Sequence, residues 1–341
     1  MSAYLNTRVS LYSSRLWQGD QFQALLRAAE GDIPPLLAAG GLTQLADILP
    51  GKDQSSLEQS IIARLLDETV VLLRPLSGDA RAFLLYWTER FEVSNLKTLL
   101  RGKMTGERPA VLLNRLTPMG GFARLDAQEL AHAEDVTELL RRLEAGHYAR
   151  IVRTARLAFE DSRDPFLLDA VLDREYYEGL ARRARALEQT LPALARLMAP
   201  LIDRINLVWL LRYRFNYLLP PAQVYYLLVA AHYALPVSRL KALAAQDSLE
   251  AALATLPPPL HALLAGVRGI PEVFSRMEQE AARTAARVLR SNAPALVRAY
   301  AYLILRERNL RAVRAVMRGR NLGLDANLIG DTLGGMTEAL H

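Results

Sequence analysis

The sequence predicts an all-α protein built from three similar helical units. Composition, the spacing of the apolar residues and a segment that occurs three times lead to that expectation. Leu, Ala and Arg dominate while β-branched residues are sparse, which favours helices over sheets. Hydrophobic residues make up 51% of the chain, enough to exclude a disordered polymer. At 341 residues the chain exceeds the usual size of a single core, so two or three compact units are expected.

The recurring segment reads "NLKTLLRGKMTG" from Asn95, "NLVWLLRYRFNY" from Asn206 and "AVRAVMRGRNLG" from Ala312, at offsets of 111 and 106 residues. Such spacing, close to a third of the chain, signals a repeated architecture. In each copy one apolar residue is followed three and four positions later by two more. The sets are Leu96, Leu99 and Leu100; Leu207, Leu210 and Leu211; and Val313, Val316 and Met317. On a helix these positions share a face, so they form a buried stripe. Each copy then places two basic residues one apart: Arg101 and Lys103, Arg212 and Arg214, Arg318 and Arg320. In a last turn they oppose the negative end of the helix dipole and can bond free carbonyls. Gly106 and Gly323 stand where a helix would close with a left-handed residue. The second copy has Tyr217 there and is expected to run on towards Pro220. An acid precedes the first two copies at equal distance (Glu92, Asp203), and Asn309 takes that place in the third.

A second element also repeats. "LLDETVVLL" from Leu65 and "VLDREYYEGL" from Val171 each precede a motif copy by about 30 residues. "TPMGG" at 117–121 and Pro220-Pro221 follow copies one and two and mark boundaries. Pro34-Pro35 and Pro257 to Pro259 are expected to break helices inside the outer units. The resulting division is 1–116, 117–221 and 222–341.

Catalytic patterns are thin. The Gly-Lys pair at 102–103 lacks the preceding strand and glycines of a phosphate loop. His132, His147, His232, His261 and His341 are scattered, with no pair at metal-ligand spacing. Asp173, Glu175 and Glu178 read as solvated or salt-bridged carboxylates rather than an acid/base pair. Tyr176, Tyr177, Tyr225 and Tyr226 read as core or interface, and Trp17, Trp87 and Trp209 as packing residues. "GDTLGG" near the C-terminus lacks the strand and spacing of a dinucleotide fingerprint. No catalytic residue, metal or cofactor is therefore expected. The chain has no cysteine, which removes disulfides and thiolate chemistry. Arg8 and Arg15 stand where a signal peptide would need an apolar core, so no secretion signal is expected. The apolar windows at 195–211 and 223–237 are interrupted or too short to cross a bilayer, and the chain reads as soluble.

A net charge of +6 is modest, but six arginines and one acid, Glu307, lie between Arg306 and Arg320. A solvated helix face is the plain reading. A helical-repeat protein that binds nucleic acid through 306–320 is the alternative, since such a face can meet a polyanion.

The threefold plan, "AYLNTRVSLYSSRLW", "EVSNLKTLLRGKMTG", "LDREYYEGL" and "RERNLRAVRAVMRGRNLGL" together resemble the C subunit of archaeal and bacterial V-type (A-type) ATPases, the counterpart of the eukaryotic d subunit. The similarity runs over essentially the whole chain and departs at the second copy, where Tyr213 precedes Arg214 and no glycine follows. The resemblance implies a pseudo-threefold funnel of three helical domains without catalytic activity. Such a funnel sits on the cytoplasmic face of the membrane proteolipid ring and receives the central shaft subunits of D and F type. The membrane stator subunit is a further expected partner, nucleic acid is not, and the chain itself supplies no transmembrane span. It would couple ATP hydrolysis or synthesis to proton or sodium translocation. Arg101, Lys103, Arg212, Arg214, Arg318 and Arg320 are the candidate partner-binding residues.

Overall fold

In a computed structural model, which describes residues 2–46, 54–231 and 233–330, every regular element is helical. His232, His341 and all but the first residue of "GDTLGG" lie outside the described residues. The chain opens with α1 (Ser2–Ser13), α2 (Gly19–Arg27), α3 (Ile33–Ala39), α4 (Thr43–Ala46) and α5 (Gln54–Leu73). Then come α6 (Gly78–Met104), α7 (Pro109–Arg115), α8 (Ala127–Ala131), α9 (Val136–Leu143), α10 (Ala149–Ser162) and α11 (Pro165–Glu188). After α12 (Ala195–Leu211) a π-turn over Arg212–Asn216 leads into α13 (Pro221–Tyr226), α14 (Val237–Ala244), α15 (Leu249–Ala254) and α16 (Pro258–Leu263). Two long helices follow, α17 (Ile270–Arg290) and α18 (Ala295–Asn321), and the described chain ends in a helical turn at 326–330.

Local chemistry fixes many of these starts. Asp126, Asp135 and Ser248 accept the backbone N–H three residues ahead, capping α8, α9 and α15. Proline occupies the first turn of α3, α7, α13 and α17, where its missing N–H costs nothing. Pro34-Pro35 and Pro258 stand where one helical segment has ended and the next opens, so the expected breaks fall at helix starts and not inside a helix. A proline in a first turn and one in an interior look alike until the helix start is known.

The fold divides into two compact units. One comprises 1–84, 187–204 and 262–341, and the other 85–186 and 205–261. In the first unit α18 is the central rod, buried on most sides and packed by α1, α2, α5 and α17. Its Tyr300 meets Phe83 edge-on at 5.0 Å, and its Tyr302 stacks on Tyr12 at 5.7 Å. Among these rings lies an ion pair excluded from water: Arg306, 1% exposed, holds Glu68, 3% exposed, at 3.0 Å. The Tyr302 hydroxyl donates to the same carboxylate at 2.5 Å. Burial first, and then the Glu68 charge, push that phenol well above its usual pKa.

In the second unit Tyr86 and Tyr176 stack at 5.4 Å with planes 4° apart. Each hydroxyl donates to a backbone carbonyl, Tyr86 to Tyr176 and Tyr176 to Trp87. A Cβ at Gly179 would overlap the Tyr86 hydroxyl, so this close approach requires glycine. Tyr176 is thus core, as its spacing predicts. Asp173 and Glu175 are salt-bridged, to Lys97 and to Arg174 and Arg150.

The buried Glu68 pair yields a stability prediction. Replacing Glu68 with Gln leaves the Arg306 charge uncompensated inside the unit. It should lower unfolding free energy by about 3–5 kcal/mol, read from the denaturant midpoint at unchanged m-value.

Candidate functional site

The repeated segment folds into one device three times. In the first copy the Asn95 side chain donates to the Thr117 carbonyl and accepts from the Thr117 N–H, both at 2.8 Å. Asn206 does the same to Val229, at 3.0 and 2.8 Å. Asn309 does the same to Trp17, at 3.0 and 3.1 Å. A primary amide offers one donor and one acceptor side by side, so it can satisfy both polar groups of one residue in an otherwise apolar place. The three asparagines are buried, and the residue before each clamped one is a buried leucine: Leu116, Leu228 and Leu16.

This device corrects the register of the third copy. Asn309, not Ala312, stands in the position of Asn95 and Asn206, with three extra residues before its basic pair. An ungapped alignment on Arg-x-Lys/Arg necessarily hides those residues. Glu92, three positions before the first asparagine, adds a second tie: its carboxylate accepts the N–H groups of Arg124 and Leu125 at 2.6 and 2.7 Å. The Tyr148 hydroxyl donates to it as well, at 2.6 Å.

The nine stripe residues are all buried. The six basic residues separate into two kinds. Lys103 donates to the Ala131 carbonyl at 2.5 Å, Arg214 to Ala244 at 3.1 Å, and Arg320 to Leu25, Leu26 and Ala28 at 2.6–3.1 Å. Those carbonyls end α8, α14 and α2. The second cation of each pair thus caps a neighbouring helix rather than its own. Arg101, Arg212 and Arg318 instead are exposed. Arg101 pairs with Asp169, while Arg212 and Arg318 point to solvent.

Copies one and three close alike. Gly106 and Gly323 adopt φ of 69° and 66°, and the next residue bonds back to the carbonyl of Gly102 or Gly319 at 2.9 or 3.0 Å. Gly102 and Gly319 are covered by Leu112 and Ile329, each ten residues later, so tightly that a Cβ would collide. The second copy has the buried Tyr213 there. It takes one extra residue through the π-turn, so that Leu219 bonds back to the Tyr213 carbonyl at 2.9 Å and Leu218 adopts the left-handed φ of 56°. The left-handed residue is therefore Leu218, not Tyr217.

The arginines of 306–320 make a solvated face only in part: Arg306 and Arg308 are buried, while Arg311, Arg314 and Arg318 keep contact with water. Arg306 is held by Glu68, Arg308 donates to the Glu278 carbonyl at 3.1 Å, Arg311 pairs with Glu278 and Arg314 with Glu58. With Arg320 capping α2, Arg318 is left as the outward one.

A sequence model of the ATP synthase (C/AC39) subunit matches residues 5–332, nearly the whole chain and all three clamps. The chain belongs to that family. It is 24% identical to the C subunit of the A-type ATP synthase of Methanosarcina mazei over 97% of this chain and 92% of that protein. Against the C subunit of the V-type ATP synthase of Thermus thermophilus it is 28% identical over 60% of this chain and 61% of that protein. The C subunit of the A-type ATP synthase of Methanocaldococcus jannaschii is 22% identical over 53% of this chain, an alignment spanning 46% of that relative. Among the described residues no helix is long and apolar enough to cross a membrane.

Sequence reasoning picks out the basic pairs but not the asparagines, although Asn opens both of the first two copies. In the first two copies the clamped residue follows a leucine 22 or 23 residues after the asparagine, whereas Asn309 reaches back 292 residues to Trp17, a pairing that only the folded chain brings together.

Two outcomes separate the clamps and caps from the outward cations. Asn95→Ala, Asn206→Ala and Asn309→Ala should each cost about 2–4 kcal/mol, since a buried N–H and C=O lose their partners. Arg212→Ala and Arg318→Ala should stay within about 0.5 kcal/mol of the parent. Chemical denaturation of the five variants checks both.

Proposed function

We propose that this chain is the non-catalytic central-stalk subunit of a rotary V-type ATPase or ATP synthase. It acts as a socket joining the rotor shaft to the membrane proteolipid ring, and so couples ATP hydrolysis or synthesis to proton or sodium translocation. The family match across residues 5–332 carries this reading. It is supported by the names of the relatives, each the C subunit of an ATP synthase. The thrice-repeated clamp suits the role, because a part that passes torque must hold its loops to its long helices without give. Shaft subunits of D and F type, the ring and the membrane stator subunit are the proposed partners, at the cytoplasmic face of the membrane.

A pseudo-threefold funnel is the proposed arrangement, with units near 1–116, 117–221 and 222–341. One refinement belongs to the proposal: residues 2–46 complete the third copy, because Asn309 clamps Trp17 and Arg320 caps α2. Of the six candidate cations, Arg101, Arg212 and Arg318 are proposed to meet partners. Lys103, Arg214 and Arg320 hold the fold, and their partner role is secondary. The nucleic-acid alternative is less favoured, since Arg306, Arg308 and Arg320 bond within the fold and Arg311 and Arg314 are ion-paired at its surface.

Purification of the native complex from host membranes tests the proposal. Recovery of this chain with the proteolipid ring and shaft subunits is expected. Reversing Arg101, Arg212 and Arg318 together to Glu should lower that recovery at least tenfold while the circular dichroism spectrum stays unchanged. A chain that stays out of the complex and shifts RNA at physiological salt would overturn it.

A further inference from the structure

The second copy departs from its two counterparts, and the departure has a chemical direction. Between residues 205 and 246 the chain contains no Asp or Glu, yet it holds Arg212, Arg214, Arg239 and Lys241 and five tyrosines. At its middle the π-turn delivers Leu218 to the surface, 76% exposed and left-handed at φ 56°. A leucine in that conformation is strained where glycine would be free. The two other copies use glycine at this point. Tyr217 beside it is 47% exposed, its ring against Phe166 at 4.6 Å. The Tyr217 N–H bonds back to the Arg212 carbonyl at 2.9 Å, placing the exposed Arg212 one turn away. Tyr226, 56% exposed, follows in the same stretch. The carboxylates whose charge reaches Tyr213 from α11, Asp173 and Asp169, are neutralised by Lys97 and Arg101.

An apolar tip flanked by tyrosine and arginine is the chemistry of a bilayer interface, and the carboxylate beside the Tyr217–Phe166 pair, Asp164, is turned back to the Phe166 N–H at 2.8 Å. Leucine favours the acyl boundary, the phenol the headgroup level, and guanidinium the lipid phosphate. A deformable anionic surface accommodates such a tip, and the exposed Arg212 is complementary to it.

We infer that the tip formed by Arg212, Tyr217 and Leu218 rests on an anionic lipid bilayer. Leu218 enters the acyl boundary, and at Arg212 lipid phosphate takes the place of a protein partner. The inference rests on the reading that the chain works at a membrane face.

Sedimentation of the full chain with vesicles of phosphatidylcholine and phosphatidylglycerol in equal parts tests it, with pure phosphatidylcholine vesicles as control. Binding to the mixed vesicles alone is expected. Leu218→Gly removes the tip while relieving the left-handed strain, so the protein remains at least as stable. It should nevertheless bind at least tenfold more weakly, as should Arg212→Glu. Failure to bind mixed vesicles, or unchanged binding by Leu218→Gly, overturns the inference. So does loss of ring and shaft recovery by Leu218→Gly with vesicle binding intact, which would assign the tip to a protein partner. Normal recovery of the complex with no vesicle binding would remove the lipid contact and leave the central-stalk reading standing.

Discussion

The structure depends on a small amide clamp. In three places an asparagine on a long helix satisfies both backbone groups of one loop residue, and almost everything local is arranged from there. A loop residue buried with free N–H and C=O would cost more than most packing contacts return. Once the asparagine supplies both partners, the leucine before the clamped residue can go into the core. The short helices beyond can then be capped by Lys103, Arg214 or Arg320. Stripe, clamp and cap form one sequence of dependencies, each useful only when the previous one is in place.

The basic pairs acquire meaning from that order. Their alternation looks like a charged rim in the sequence, but the two members of each pair face different ways. One crosses to the negative end of a neighbouring helix, where a cation is favourable and its donors find carbonyls. The other is outward, and it is the one available to a partner. The same division explains the 306–320 stretch. Its arginines are distributed to Glu68, Glu278, Glu58 and the end of α2, so a run of charge in one dimension becomes a set of internal ties in three.

Much of this is legible in the chain itself. The helical class, the nine buried stripe positions, the closing glycines at 106 and 323 and the structural role of Tyr176 follow from period and residue type. Other features depend on contacts that no local pattern encodes. The equivalence of Asn309 is hidden by three extra residues, because the basic pair dominates an ungapped comparison. Dipole arguments name the sign of a cap but not the helix it serves, so Lys103, Arg214 and Arg320 read as caps of their own helices. The π-turn follows from Tyr213 occupying a position where Gly102 and Gly319 allow Leu112 and Ile329 to close in. A residue too large for a helix crossing is a visible clue only when the crossing is known.

That each asparagine holds its own loop residue is the central claim, and amide hydrogen exchange in the Asn206→Ala variant tests it most directly. The clamp account predicts that the Val229 N–H loses its protection by at least tenfold, while the Thr117 and Trp17 amides keep theirs. Unchanged exchange at Val229, or equal loss at all three amides, would contradict it.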